Sequence, residues 1–133
     1  MSENLDIMIN ILRKYNSIAK KSNRTTDFLL FSSLLKKSCY DFKNIYKQIN
    51  ESDLKNVIYE DNLLGLFQFL DKKSLIDFKK SVKQLQSFKF GNFLFSSNDI
   101  LEFFINLREF LDKNNHPKQM ENLFFLFEKL LLI

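Results

Sequence analysis

Apolar side chains recur every three or four positions along most of this chain, and charged side chains fill the positions between them. This spacing puts an apolar stripe on one side of a helix and charge on the other, so it predicts a succession of amphipathic helices. Six helices are predicted, at about residues 4–21, 25–49, 52–70, 74–85, 99–113 and 117–132. We therefore expect a compact all-α bundle of about six helices in a single domain, residues 1–133.

Capping residues mark several of the predicted helix starts, because their side-chain oxygens accept hydrogen bonds from the free amides of a first turn. The predicted caps are Thr25 or Thr26, Ser52, Ser74 in capping-box spacing with Asp77, and the run from Ser96 to Asp99. Pro117 suits the first position of the last helix, where its missing amide is no loss. Gly65 falls inside the third helix, where we expect a kink or a close contact between helices.

Residues 87–95, with the sequence SFKFGNFLF, depart from the helical spacing. Phenylalanines alternate with other residues on both sides of the Gly91-Asn92 pair, and alternation around a two-residue turn predicts a β-hairpin over 88–95. An isolated two-stranded hairpin is only marginally stable in water. The alternative is therefore an extended loop whose rings hold it against the core.

The last helix is apolar around most of its circumference, with LFFLF at 123–127 and LLLI at the end. A helix of this kind needs cover on several sides. We expect it to be the central helix of the bundle. The alternative is a terminal helix whose open side is covered by a second copy or by another partner.

Two segments of the chain resemble each other. Residues 36–49 and 72–85 share eight identities in fourteen positions, at an offset of 36 residues. Such an offset is typical of stacked helical-hairpin repeats. Short matches also arise by chance in a chain rich in Lys, Phe and Ser, so both explanations stay open.

The composition fits a helical core. Sixteen of the 133 residues are Phe, whereas only two are Gly and one is Pro. Rings bury a large area per residue, so a chain of this length can fold without disulfides or metals. The excess of Phe, Ile, Asn and Lys is also what an AT-rich genome encodes. Because the first twenty residues lack a basic leader and no apolar run has the length of a membrane span, we expect a cytoplasmic protein, in the host cytoplasm if the genome is viral.

The net charge of +4 comes from 20 basic and 16 acidic residues. Much of the basic charge lies in separate pairs: Lys20 and Lys21, Lys36 and Lys37, Lys72 and Lys73, and Lys79 and Lys80. Dispersed pairs are typical of solvated helix faces. The alternative is a nucleic-acid-binding protein in which lysines share one face and tyrosines stack on bases. The candidate stacking residues are Tyr15, Tyr40, Tyr46 and Tyr59.

Residue types that commonly carry catalysis are few and scattered. Cys39 and His116 are the single Cys and His, too few for the usual zinc sites, and we expect Cys39 to be a core residue. Glu60 and Asp61 form an adjacent acidic pair, and neighbours on a helix point about 100° apart, so we expect them to be solvated. The chain also lacks a glycine-rich phosphate loop. We therefore predict no enzymatic activity, no cofactor and no metal.

These observations favour a non-enzymatic protein–protein interaction module, a small helical adaptor or inhibitor that binds through an apolar groove or patch. The expected partner is another protein that offers an amphipathic helix or an acidic surface, with Lys pairs assisting at the rim. The candidate partner-binding residues are Phe88, Phe90, Phe93, Phe95, Phe124, Phe125 and Phe127. Besides nucleic-acid binding, one alternative is a homo-oligomeric subunit, such as a homodimer, whose last helix completes a shared core. A hydrolase is a further alternative, and it would require two or more titratable groups that converge in a closed pocket.

Overall fold

The expected helices and hairpin are present in the computed structural model, which describes residues 3–63, 71–114 and 118–131. In chain order the elements are α1 (Glu3–Lys21), α2 (Thr25–Lys43), a 3-10 helix (Tyr46–Gln48), α3 (Glu51–Tyr59), α4 (Lys72–Ser87), β1 (Lys89–Phe90), β2 (Phe93–Leu94), α5 (Ser97–Lys113) and α6 (Gln119–Leu131). The prediction of an all-α bundle with one short hairpin is confirmed. Among these described helices, none has the length and apolar content needed to cross a bilayer.

Two of the predicted helices are shorter than the sequence suggested. Helix α2 ends at Lys43 instead of continuing to Ile49, because the chain turns through the 3-10 helix there. Ile45 and Ile49 are nevertheless buried, so their apolar spacing reflects the core and not a continuous helix. Helix α3 ends at Tyr59, where the next residue, Glu60, is extended. The predicted continuation through Leu64, Gly65, Phe67 and Leu70 lies outside the described residues, as do His116 and Pro117.

The caps of α3 and α4 are acidic or amide side chains, not the predicted serines. Asn50 accepts a hydrogen bond from the Asp53 amide at 2.8 Å, and Asp53 accepts one from the Asn50 amide at 3.1 Å. This reciprocal capping box begins α3 one residue before Ser52. Asp71, and not Ser74, caps α4. Both caps satisfy amides that have no partner within their own helix.

A tight reversal joins α1 to α2. Asn23 adopts a positive φ of 56°, which ends α1. The Asn23 amide donates to the Lys20 carbonyl and the Arg24 amide donates to the Ala19 carbonyl, the two hydrogen bonds of a Schellman motif. Helix α2 begins directly afterwards at Thr25, without a side-chain cap. The reversal therefore brings Arg24 to the end of the bundle where the hairpin lies.

Three rings from three helices form the middle of the core. Phe42 of α2, Phe78 of α4 and Phe104 of α5 lie 5.1–5.3 Å apart between ring centroids, and all three are fully buried. Phe103 extends this group towards α6. We call these four residues the central ring cluster. Aromatic pairs at such distances contribute about 0.5–1.5 kcal/mol each beyond the area that they bury.

The two similar segments share the helical conformation only in part. Residues 36–43 are helical in α2 and 72–79 are helical in α4, but 44–49 leave the helix whereas 80–85 continue it. The two helices run antiparallel, since Phe42 contacts Phe78 and Phe31 contacts Phe88. Phe42 and Phe78 occupy equivalent positions in the sequence match, so the matched rings pack against each other. Whether the match records a duplication stays a prediction.

A buried lysine joins α4 to the end of α3. The Lys79 side chain is only 9% exposed, and its ammonium donates hydrogen bonds to the backbone carbonyls of Val57 and Glu60. These carbonyls lie at the C-terminus of α3, where they lack helical partners and where a positive charge is favourable. Burial lowers the pKa of Lys79. Lys79 is therefore part of the helix packing and not of a solvated Lys pair.

Amide side chains connect α1 to α5 within the core. Asn4 donates to the Asn106 side chain at 2.9 Å and to the Glu109 carboxylate at 2.8 Å, and it accepts a hydrogen bond from Lys113. Asn106 also donates to the Glu102 carbonyl one turn earlier. Among the described residues, every buried side-chain nitrogen and oxygen has a partner. Such contacts fix the rotation of one helix relative to the other, because any other register leaves a buried amide unpaired.

Lys79→Met tests the cap on α3. Methionine keeps most of the side-chain volume but leaves the carbonyls of Val57 and Glu60 without their donor, so we expect the free energy of unfolding to fall by about 1–3 kcal/mol in urea titrations. Lys80→Met, at an exposed neighbouring position, should change it by less than about 0.5 kcal/mol. Equal effects of the two substitutions would contradict this role of Lys79.

Candidate interaction surface

The structure separates the seven predicted partner-binding rings into core and surface residues. Four are buried and cannot contact a partner in this structure: Phe90, Phe95, Phe124 and Phe127. Phe88 is half-buried against the core. Phe93 and Phe125 are exposed, by 48% and 60%. The predicted surface is therefore wrong for the four buried rings, which pack on the helices because their alternating or helical spacing turns them inward.

The hairpin at 88–95 is formed, and the alternative of an extended loop is excluded. Lys89 pairs with Leu94 and Phe90 pairs with Phe93 in antiparallel register. Gly91 has a φ of +64°, as the first turn residue of a type II′ hairpin requires. A β-carbon at Gly91 would lie 3.5 Å from the Arg24 guanidinium, so the hairpin turn and the α1–α2 reversal are neighbours.

Six rings hold the hairpin against the bundle, and we call them the hairpin ring cluster: Tyr15, Phe28, Phe31, Phe88, Phe90 and Phe95. Phe31 of α2 lies at their centre and contacts Phe88, Phe90 and Phe95 at centroid distances of 5.9, 5.1 and 4.8 Å. A two-stranded hairpin alone is marginal in water. These buried rings therefore supply the stability that the two-residue strands lack.

A hydrogen-bond network fixes the second strand of the hairpin to α1 and α5. The Tyr15 hydroxyl accepts a hydrogen bond from the Ser96 amide at 3.1 Å and donates one to the Asp99 carboxylate at 2.6 Å. Lys14 forms a salt bridge with the same carboxylate at 2.9 Å. Ser96, one of the predicted capping residues, caps α5 by accepting a hydrogen bond from the Asp99 amide, and the helix begins at Ser97, two residues before the predicted start. The chain that follows the hairpin is thus held at two points, the Ser96 backbone amide and the Asp99 side chain in the first turn of α5.

The same network shifts the protonation of its members. Burial would raise the pKa of Asp99, but hydrogen bonds from Tyr15 and Lys14 outweigh burial and hold this pKa below its usual range. Burial and the neighbouring Asp99 raise the pKa of Tyr15. The network is therefore built around an ionised Asp99 and a neutral Tyr15 near neutral pH.

Two exposed apolar side chains lie on the hairpin and two more on α2. Eight large apolar residues are exposed in the described part of the chain, among them Phe93 and Leu94 of β2 and Leu29 and Leu30 of α2. The exposed parts of Phe93 and Leu94 are what we call the hairpin surface. Leu29 and Leu30 lie between Phe28 and Phe31 on the turn of α2 that contacts the hairpin. Their side chains are each 57% exposed. The sequence carried a signal for them, since four successive apolar residues at 28–31 cover more of a helix than one buried stripe.

Helix α6 lies at the surface and not at the centre of the bundle. Its inner side packs on α1 and α2, while Phe125 points outward beneath the Lys129 ammonium, 4.7 Å from the ring centroid. Tyr40 of α2 is half-exposed and contacts Phe124 at 5.2 Å. The expectation of a central last helix is therefore wrong. Its buried residues in the described part are Met120, Leu123, Phe124 and Phe127.

The predicted Lys pairs do not share one environment. Lys36 forms a salt bridge with Glu128 of α6, and Lys37 forms one with Asp41 at 2.9 Å. Lys79 is the buried cap of α3. Lys20 and Lys21, by contrast, are exposed at the end of α1.

Two of the reactive groups, Cys39 and Lys79, take part in the packing of the helices. Cys39 is fully buried, and burial raises the pKa of its thiol far above neutrality, so it is the predicted core residue. Glu60 and Asp61 are exposed, as expected. A cleft of about 360 Å³ lies beside α4, but Lys79 in its wall is already bonded to two carbonyls. In the described ranges, no group of three or more His, Cys, Asp or Glu residues is arranged to hold a metal.

Comparison of this chain with protein-family models, with curated proteins and with solved structures gives no match. The surface must therefore be interpreted from its own geometry and charge.

Asp99→Asn tests the network behind the hairpin. Because the pKa of Asp99 is lower in the folded than in the unfolded chain, the folded state binds fewer protons, and stability is lost as the pH falls from about 4 through the folded pKa. We expect the substitution to lower the free energy of unfolding by about 1–3 kcal/mol at pH 7 and to flatten its decline in acid. Urea titrations between pH 7 and pH 2 measure both effects. The control is Asp61→Asn, because the Asp61 side chain is 90% exposed. Parallel curves of unfolding free energy against pH for the wild type and Asp99→Asn would contradict the role of Asp99.

Proposed function

We propose that this chain is a non-enzymatic protein-binding module and that the hairpin surface contacts the partner. The observation that carries this proposal is the contrast within the hairpin. The ring of Phe90 in the first strand is fully buried, whereas Phe93 and Leu94, which form the second strand, are each 48% exposed. Apolar side chains that a rigid element holds in water lose little conformational freedom on binding, which makes them good anchors for a partner.

Charge pairing within the chain favours protein binding over nucleic-acid binding. Nucleic-acid binding in the form that the sequence suggested needs lysines gathered on one face. Lys36 instead forms a salt bridge from α2 to Glu128 of α6, Lys37 forms one with Asp41 within α2, and Lys79 donates to the end of α3. Three members of the Lys pairs are thus engaged in contacts within the chain.

The packing of α6 favours an adaptor over a shared-core assembly. A helix that completes a core between two copies leaves its apolar side open in one copy. Here the described part of α6 already buries Phe124 and Phe127 against its own chain. Phe125 is the exception, and it provides a matched control for the hairpin surface.

Affinity capture with paired variants tests the proposed surface. Full-length protein carrying Phe93→Ser and Leu94→Ser is compared with wild type and with Phe125→Ser as bait for extracts of the encoding organism, and the captured protein is then purified and titrated. We expect the hairpin variant to lose at least about tenfold in affinity, because removing two anchors costs 1.4 kcal/mol or more. Phe125→Ser should bind as the wild type does. Phe90 is unsuitable as a probe, since it is fully buried and its loss would unfold the core.

All three proteins should be folded at the assay temperature, which their melting curves check, because about half or more of each substituted side chain is exposed. A partner that binds the hairpin variant and wild type equally would show that this surface is wrong. Loss of binding with Phe125→Ser alone would show that the interface lies on α6.

A further inference from the structure

Helix α6 is attached to the bundle differently from the other helices. Buried or half-buried side-chain hydrogen bonds join α1 to α5, α2 to α4, and α4 to the end of α3. In the described part of the chain, the side chains of α6 make one hydrogen bond to another element, between Glu128 and Lys36 of α2. These two side chains are 52% and 35% exposed, and exposed ion pairs contribute little to stability. Helix α6 is therefore held chiefly by apolar packing.

Space remains on both sides of α6. Towards α2, a cavity of about 20 Å³ lies between Leu12 and Leu35 of the bundle and Phe124 and Phe127 of α6. Towards α1 and α5, a groove of about 320 Å³ runs beside Leu126. Atoms that line such spaces lack packing partners on one side, so α6 gains less from its contacts than a closely packed helix would.

The surface that α6 covers is nevertheless specific for a helix. Tyr40 contacts Phe124, and Lys36, one turn earlier on α2, contacts Glu128, one turn later on α6, so the two helices are antiparallel. The buried positions of α6 are 120, 123, 124 and 127, with the spacing of one helix face. We call the covered surface the α6 groove, defined by Leu12, Leu35 and Phe103 with Lys36 at its edge.

We infer that α6 is a displaceable cover and that an amphipathic helix of another protein takes its place in the α6 groove. This second site does not depend on the hairpin surface. The partner helix needs apolar residues three and four positions apart and a carboxylate placed to reach Lys36. Displacement requires that the partner gain more from the groove than α6 does. A helix that also fills the cavity beside Leu12 and Leu35 makes packing contacts that α6 lacks.

A second copy of this chain is the competing occupant, because its own α6 fits the groove. An exchanged α6 would make the same contacts as the original one. The exchange therefore gains no packing and costs the translational freedom of two separate chains. A helix with another sequence does not have this limit, and we assign the groove to such a helix.

A labelled copy of α6 tests whether the cover opens. Full-length protein is titrated by fluorescence anisotropy with a fluorescein-labelled peptide of residues 118–131 that carries a solubilising Lys-Lys extension. The apparent Kd equals the intrinsic Kd divided by the fraction of molecules whose groove is open. Phe127→Ala in the protein weakens its own α6 without changing the groove, so the peptide should bind at least about tenfold more tightly. Glu128→Lys should strengthen binding about threefold for the same reason.

Two further proteins are controls. Phe125→Ser changes an exposed ring of α6 and should leave the peptide affinity unchanged. Lys36→Cys with Glu128→Cys, joined by a cleavable bis-maleimide, holds α6 in place and should abolish binding until the linker is cleaved. The buried Cys39 thiol should not react. Melting curves check that each protein is folded, and Glu128→Lys decides the test if Phe127→Ala is not.

A peptide variant tests the chemistry of the partner. The peptide with Glu128→Lys should bind Phe127→Ala protein about threefold more weakly than the original peptide, and equal affinities would overturn the requirement for a carboxylate. The inference as a whole fails if neither Phe127→Ala nor Glu128→Lys protein gains affinity for the peptide, or if the linker leaves binding intact. A wild-type dimer in sedimentation that the peptide dissociates would overturn the assignment to another protein and show that a second copy occupies the groove.

Discussion

Helix α2 links the two groups of rings on which the fold depends. Its N-terminal half supplies Phe28 and Phe31 to the hairpin ring cluster, and its C-terminal half supplies Phe42 to the central ring cluster. The helix also packs against α1, α4 and α6. Burial of these rings contributes strongly to stability, because large side chains remove the most apolar area from water. The hairpin therefore depends on α2 for its cover, and the core depends on the hairpin for the fully buried ring of Phe90.

Polar contacts decide how the ring-bearing helices are oriented. Apolar packing alone tolerates small rotations of neighbouring helices, since one apolar contact can replace another. Rotation of a helix would break the hydrogen bond from Lys79 to the end of α3 or the one from Asn4 to Asn106. Either loss would leave a buried polar group without a partner. The Tyr15 hydroxyl fixes the position of the hairpin in the same way, because it is hydrogen-bonded to both the Ser96 amide and the Asp99 carboxylate. These few contacts explain how a core in which Phe is the commonest residue reaches a single arrangement.

The sequence predicted the helices well because each buried stripe follows the helical period, and that period survives in α1, α4 and α5. It failed where the same apolar spacing continued across a break. Ile45 and Ile49 are buried, yet the backbone there has left α2 for a 3-10 helix. The caps of α3 and α4 were also missed. Ser52 and Ser74 lie within three positions of Asn50 and Asp71, and all four side chains carry an oxygen that can accept a hydrogen bond from a helix amide. Local chemistry permits either start, and tertiary packing selects one.

The proposed interaction surface was predictable only as a region. Alternation identified the hairpin, but it could not tell that Phe90 is buried while its strand partner Phe93 is half-exposed. That difference arises from rings on α2 and from the Tyr15 network, which are distant in sequence. Leu29 and Leu30 were missed because a stripe on one side of α2 already accounted for the core, and only the structure shows the second pair facing water.

The number of phenylalanines and their positions in the structure have different explanations. An AT-rich genome raises the number of phenylalanines, and unselected extra rings would appear on the surface as often as in the core. Among the fourteen whose side chains the structure describes, eleven are buried and only Phe93 and Phe125 are exposed. Mutational bias can therefore explain why the core uses Phe in place of Leu, but it does not explain where the rings lie. Phe125 is partly covered by the Lys129 side chain, whereas Phe93 follows the hairpin turn and about half of its surface is exposed. Because an exposed ring on an ordered element loses little conformational freedom when a partner covers it, Phe93 is the residue on which the proposed function chiefly rests.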